Sequence, residues 1–144
     1  MKYPILLILL LAFTSCDFSE DVDPEDEIDV ENIFNFPRTP RTQLSPGQEF
    51  TMEVPEGKKV LITDIYIENT GGGFSQMAIL EQSGENTFEV RYAFNTEDNQ
   101  TTIINYTTGI MLGDEGPIAG SIKLQNISGS QAGILPRING VFID

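Results

Sequence analysis

The chain has 144 residues with 22 acidic and 8 basic side chains, one cysteine, no histidine and a formal net charge of −14. Without histidine, Ser-His-Asp and Cys-His nucleophilic systems are excluded, as are the usual zinc, copper and haem ligand sets. The few scattered basic residues and the acidic balance argue against a nucleic-acid partner, and no P-loop or dinucleotide fingerprint calls for a cofactor.

The first sixteen residues read MKYPILLILLLAFTSC. Lys2 gives a short positive start, residues 5–13 are continuously apolar, and Thr14 and Ser15 lead to Cys16. A helix needs ~20 apolar residues to cross the hydrocarbon core, so this run fits a signal-peptide core rather than a stable span. With the cysteine at its end, the segment resembles the lipobox of bacterial lipoproteins. That resemblance implies cleavage between Ser15 and Cys16 and acyl chains such as palmitate on Cys16, which then holds the protein to a lipid bilayer. Two or more acyl chains anchor stably, at ~0.8 kcal/mol per buried methylene. Phe13 stands where the usual pattern has Leu, and an ordinary secretory signal cut nearby is the alternative. A lone cysteine elsewhere in an exported chain would be an unpaired thiol in an oxidising compartment.

Residues 17–31, DFSEDVDPEDEIDVE, carry nine of the acids and no base, so most of the net charge is local. Like charges repel and keep such a block extended, which makes it a spacer. An acidic cluster directly after the lipidated cysteine also resembles the surface-export signal of Bacteroidota lipoproteins, which implies the outer membrane and an outward face. In enteric bacteria, Asp after the cysteine resembles an inner-membrane retention signal instead. The periplasmic face and secretion stay open as alternatives.

Residues 32–47 contain three prolines and read as a linker that lays one edge strand, 33–36, on the domain that follows. The expected division is a signal peptide at 1–15, the lipidated cysteine and tether at 16–47, and one folded domain at 48–144. In that domain short β-like runs occur at 48–54, 59–69, 74–82, 87–94, 101–107, 121–127 and 138–144, with 109–112 extending or following the fifth. Clusters of Gly, Asn, Asp, Ser or Pro separate them, as tight strand connections require. Run 87–94 alternates with period two, putting Phe88, Val90, Tyr92 and Phe94 on one face. Run 59–69 is apolar on both faces, with Leu61, Ile65 and Ile67 on one and Val60, Ile62 and Tyr66 on the other, as for a central or covered strand. The predicted fold is all-β: an antiparallel two-sheet sandwich or jelly roll of seven to eight strands. The runs VPEGKKVLITDIYIEN, GPIAGSIKLQNISG and INGVFI resemble the turn-and-strand grammar of small bacterial β-sandwich modules, which implies the fold and leaves activity open.

The remaining chemistry is that of carboxylates. Asp64 interrupts an apolar run and pairs with Glu68, Asp98 or Asp114 in a glycosidase-like reading. In the structural reading it caps a turn, meets Arg91 or Lys123 across the sheet, or sits on an exposed face. Glu97, Asp98 and Asn99 offer oxygens to calcium, and a solvated hairpin loop accounts for them as well. Tyr66, Phe74, Tyr92 and Tyr106 are candidates for stacking on sugar rings, or for the core. The leading expectation is a membrane-anchored, surface-displayed lipoprotein that is not an enzyme and serves as a binding or structural module for a glycan or an envelope protein. The alternatives are a carboxylate-dependent glycan-active enzyme and a homo-oligomeric envelope-assembly subunit that buries the second apolar face of run 59–69.

Overall fold

In a computed structural model the described residues are 32–38, 42–113, 118, 120–129 and 132–144. Cys16, the acidic segment 17–31 and Asp114 lie outside them. Eight strands form: β1 (Ile33–Phe36), β2 (Glu49–Glu53), β3 (Lys59–Asn69), β4 (Ser75–Gly84), β5 (Thr87–Thr96), β6 (Thr101–Leu112), β7 (Ser121–Asn126) and β8 (Ile134–Ile143). They make two antiparallel sheets of four, ordered β1-β8-β3-β6 and β2-β7-β4-β5. The β4–β5 hairpin stays within one sheet, while every other connection carries the chain across to the opposite sheet. This is the expected β-sandwich. The segment 32–47 contributes its edge strand as β1, and Leu44 bridges to Ile134. Among the described residues, no helix is long and apolar enough to cross a membrane.

The core lies between the sheets and is aliphatic, with Ile62, Ile65, Ile67, Met77, Ile79, Leu112, Ile122, Leu124, Ile134 and Ile138 fully buried. Burying each such side chain contributes ~1.5–3 kcal/mol, which suffices without a disulfide. The edge strands β1 and β2 close one side through Phe36 and Phe50, whose rings meet edge-on at 6.3 Å. On the opposite side, Tyr92 of β5 donates from its hydroxyl to the Met111 carbonyl of β6 at 3.4 Å. Gly140 sits under the Phe34 ring; a Cβ there would come within 2.1 Å of the Leu61 carbonyl oxygen and 2.8 Å of that ring.

Two bulges correct the faces read from the sequence. In β3 the register shifts between Ile62 and Asp64 against both neighbours: opposite β8, Thr63 is an extra residue, while opposite β6 it faces the four residues 106–109. The shift turns Ile65 and Ile67 to the same inner face as Val60 and Ile62, all four fully buried. Leu61 and Tyr66 point outward. The apparent second apolar face of run 59–69 is therefore a one-residue change of phase. In β5 a similar shift leaves Arg91 between Tyr92, opposite Ile79, and Val90, opposite Leu80. Tyr92 and Phe94 pack on the core, whereas Val90 is 56% exposed and Phe88 lies beneath the Lys123 ammonium on the outer face. Phe88 and Val90 thus do not share a face with Tyr92 and Phe94. Residues 109–112 continue β6, one of the two expected placements, whereas the last strand starts at Ile134, upstream of Pro136 and of the expected 138.

Candidate functional site

Strands β3 and β7 end alike, in Ile65-Tyr-Ile67-Glu-Asn69 and Ile122-Lys-Leu124-Gln-Asn126. In each, the inner-face alternation closes with a buried asparagine at the same end of the sandwich. Ladder pairing stops there, so backbone groups lose their partners and a carboxamide can replace them. The Asn126 Nδ2 donates to the carbonyls of Leu44 and Ala132, both at 2.9 Å, and its Oδ1 accepts from the Ser128 amide at 3.0 Å. The Asn69 Nδ2 donates to the carbonyls of Gly73 at 2.7 Å and Glu97 at 2.9 Å, and its Oδ1 accepts from the Gly71 amide at 2.9 Å. One side chain, 2% exposed, thereby fixes both the 70–74 and the 97–100 connections.

A depression of about 260 Å³ opens between those two connections, lined by Phe74, Asn95, Thr96, Glu97, Gln100 and Thr102. Gly71, Gly72 and Gly73 all have positive φ (102°, 100° and 106°), a conformation suited to glycine, and they deliver Phe74 to the rim. Phe74 is 54% exposed. The far wall is a hydrogen-bonded turn in which the Gln100 amide donates to the Glu97 carbonyl at 3.2 Å. Within the depression the Thr102 hydroxyl donates to that of Thr96 at 2.9 Å, and on its exposed side the Gln76 Nε2 donates to Asn95 Oδ1 at 2.9 Å. The lining combines one aromatic ring, amides, hydroxyls and one carboxylate, with no basic side chain.

Of the acids singled out in the sequence, Asp64, Glu68 and Asp98 are among the described residues and occupy separate places. Asp64 lies on the outer face of β3, between Asn105 and Asn139 in the ladder, and accepts from the Thr63 hydroxyl at 2.7 Å. The expected partners Arg91 and Lys123 belong to the other sheet, where they pair with Glu81 at 3.5 Å and Glu49 at 2.6 Å. Glu68, four positions along, has its Cα about 13 Å from that of Asp64 at ~3.3 Å per residue. It accepts from the Tyr66 hydroxyl at 3.0 Å. Asp98 is at the tip of the β5–β6 turn. Among the described residues, no three Asp, Glu, His or Cys side chains are grouped so as to hold a metal. The calcium candidates Glu97, Asp98 and Asn99 are exposed on that turn, and the Glu97 carbonyl is taken by Asn69. Of the four aromatic candidates, Tyr92 and Tyr106 pack against the core, Tyr66 lies on the outer face, and Phe74 belongs to the depression. Burial, with the neighbouring Tyr92 second, raises the Tyr106 phenol above its ordinary pKa, and the Lys58 hydrogen bond holds the Asp144 carboxyl below its own. Both groups lie away from the depression.

No protein-family model matches the chain, and no curated protein matches it. Solved structures of similar shape are distant. PirA is 15% identical with a TM-score of 0.44, over 79% of this chain and 97% of its own. The Drosophila NLP core, whose structure concerns pentamer formation and histone binding, is 15% identical with a TM-score of 0.45, over 78% and 99%. The Tobacco streak virus coat protein is 8% identical with a TM-score of 0.35, over 78% and 88%. Likeness at this level bears on neither function nor assembly.

Proposed function

We propose that the chain is an envelope lipoprotein. Cys16 carries the lipid, residues 17–31 act as an acidic spacer, and the sandwich is displayed from the outer membrane as a non-catalytic binding module. The polarity of the sandwich supports this most directly. β1 begins at Ile33, opposite Val141, so the spacer joins the body at the end that carries the C-terminus and the Lys58–Asp144 ion pair. The 70–74 and 97–100 connections, with the depression between them, lie at the opposite end. An anchored chain would hold that end away from the bilayer. Fifteen spacer residues reach at most ~50 Å when fully extended, enough to clear lipid headgroups.

The non-catalytic reading is supported by the spread of carboxylates. A retaining or inverting glycosidase sets two carboxyl groups ~5–9.5 Å apart about a substrate; here the Asp64 carboxylate accepts from Thr63 and the Glu68 carboxylate from Tyr66, each tied to a neighbour on the outer face of β3. The assembly reading has lost the apolar second face of β3 on which it rested. Mass analysis of the N-terminal peptide of the membrane-extracted protein tests the proposal. A peptide beginning at Cys16 with diacylglyceryl and acyl additions is expected, and Cys16→Ser should release the protein from the membrane fraction. An unmodified thiol, or a membrane-bound C16S variant, would refute the anchor.

A further inference from the structure

We infer that the depression beside Phe74 is a subsite for a single neutral sugar ring, the terminal or branching residue of a glycan. This rests on the reading of the chain as a binding module and supplies the ligand class. The volume of about 260 Å³ falls below the ~300 Å³ at which pockets begin to take drug-sized ligands, and it has room for one ring with its hydroxyls. A pyranose has an apolar C–H face and a rim of hydroxyls that both donate and accept. The depression offers the matching pair: the exposed Phe74 ring for the C–H face, and carboxamides that donate and accept at Asn95 and Gln100. Glu97 adds an acceptor.

Other ligand chemistries fit less well. With a carboxylate in the lining and no basic side chain there, a phosphate, sulfate or uronate would be repelled. A cation would seek carbonyl oxygens, but those of Gly73 and Glu97 already accept from Asn69. A purely apolar group would strip water from the amides and hydroxyls without replacing their hydrogen bonds.

The walls are also set in advance. Asn69 binds the connection that carries Phe74 to the one that carries Glu97 and Gln100, and the Thr96–Thr102 and Gln76–Asn95 bonds hold further lining side chains. A small ligand gains affinity when its site need not be ordered on binding. One ring in an open site still binds weakly, with Kd on the order of a millimolar.

The test uses the whole chain with Cys16→Ser, isotope-labelled and followed by NMR. The probes are methyl glucoside, methyl galactoside and N-acetylglucosamine, with glucuronate and lysine amide as charged comparators. At least one neutral sugar should move the amide signals of Phe74, Asn95, Glu97 and Gln100 saturably, leaving those near Tyr66 and Asp64 in place. Phe74→Ala should weaken that binding at least tenfold with an otherwise unchanged spectrum, and Phe74→Tyr should retain it. The inference is overturned if no neutral sugar binds up to about 100 mM. It is equally overturned if the shifts map elsewhere, if F74A binds as well as the parent, or if only glucuronate or lysine amide binds. The lipid takes no part in this experiment, so its failure is distinct from failure of the anchor. Loss of the methyl group from a glycoside would instead show up directly as hydrolysis, against the non-catalytic reading.

Discussion

Asn69 and Asn126 do the same work in opposite sheets. Each is buried where strand pairing ends, and each spends its carboxamide on backbone groups of two separate chain segments. An unmade bond to a buried carbonyl costs ~1–3 kcal/mol, and Asn126 satisfies two. Asn126→Ala should therefore lower unfolding stability by about 2–4 kcal/mol in urea titrations. The exposed Glu53→Ala serves as comparison and should stay within ~0.5 kcal/mol. Equal stability of the two variants would show that the Leu44 and Ala132 carbonyls find other partners. Asn126→Asp should be no better than the alanine, because a carboxylate has no proton to donate to either carbonyl.

At the scale of elements, the bulges at Thr63 and Arg91 decide which side chains reach the core. Deleting Thr63 would leave β3 with a strict alternation and turn either Val60 and Ile62 or Ile65 and Ile67 outward. The deletion variant should lose its cooperative thermal transition and its dispersed amide spectrum. Thr63→Ala keeps the residue count, forfeits the hydroxyl bond to Asp64, and should cost no more than ~1 kcal/mol. A cooperatively folded deletion variant would mean that register does not depend on the bulge. The same feature explains what could be read from the sequence. Strand positions were legible because Gly, Pro, Asn and Asp clusters mark their ends; the run 59–69 coincides with β3. Faces were not, because a bulge residue is selected by backbone pairing, and Thr63 and Arg91 look like any strand residue. The start of β8 was hidden by Pro136, which lies beyond the stretch that β1 pairs, where a missing N–H is tolerated. Phe74 and the 95–100 turn each stood out as candidates separately. Their juxtaposition was not legible, since it follows from two crossings between sheets and from the reach of Asn69.

At the scale of the molecule, the chain is polar from end to end. Nine of its 22 acids fall in residues 17–31, directly after Cys16. The sandwich follows with its spacer-joined end at the C-terminus and its aromatic-rimmed depression at the other. On the proposed reading, this order would make the acidic block a spacer with an outward address and hold the candidate site at the far end. Outward display can be tested with one introduced thiol, because Cys16 is the single native cysteine and acylation would block it. Asp98→Cys, at the exposed tip of the 97–100 turn, should react with a membrane-impermeant maleimide on intact host cells as fully as after lysis. Labelling that appears only once the outer membrane is broken would contradict surface display and place the sandwich on the inner side.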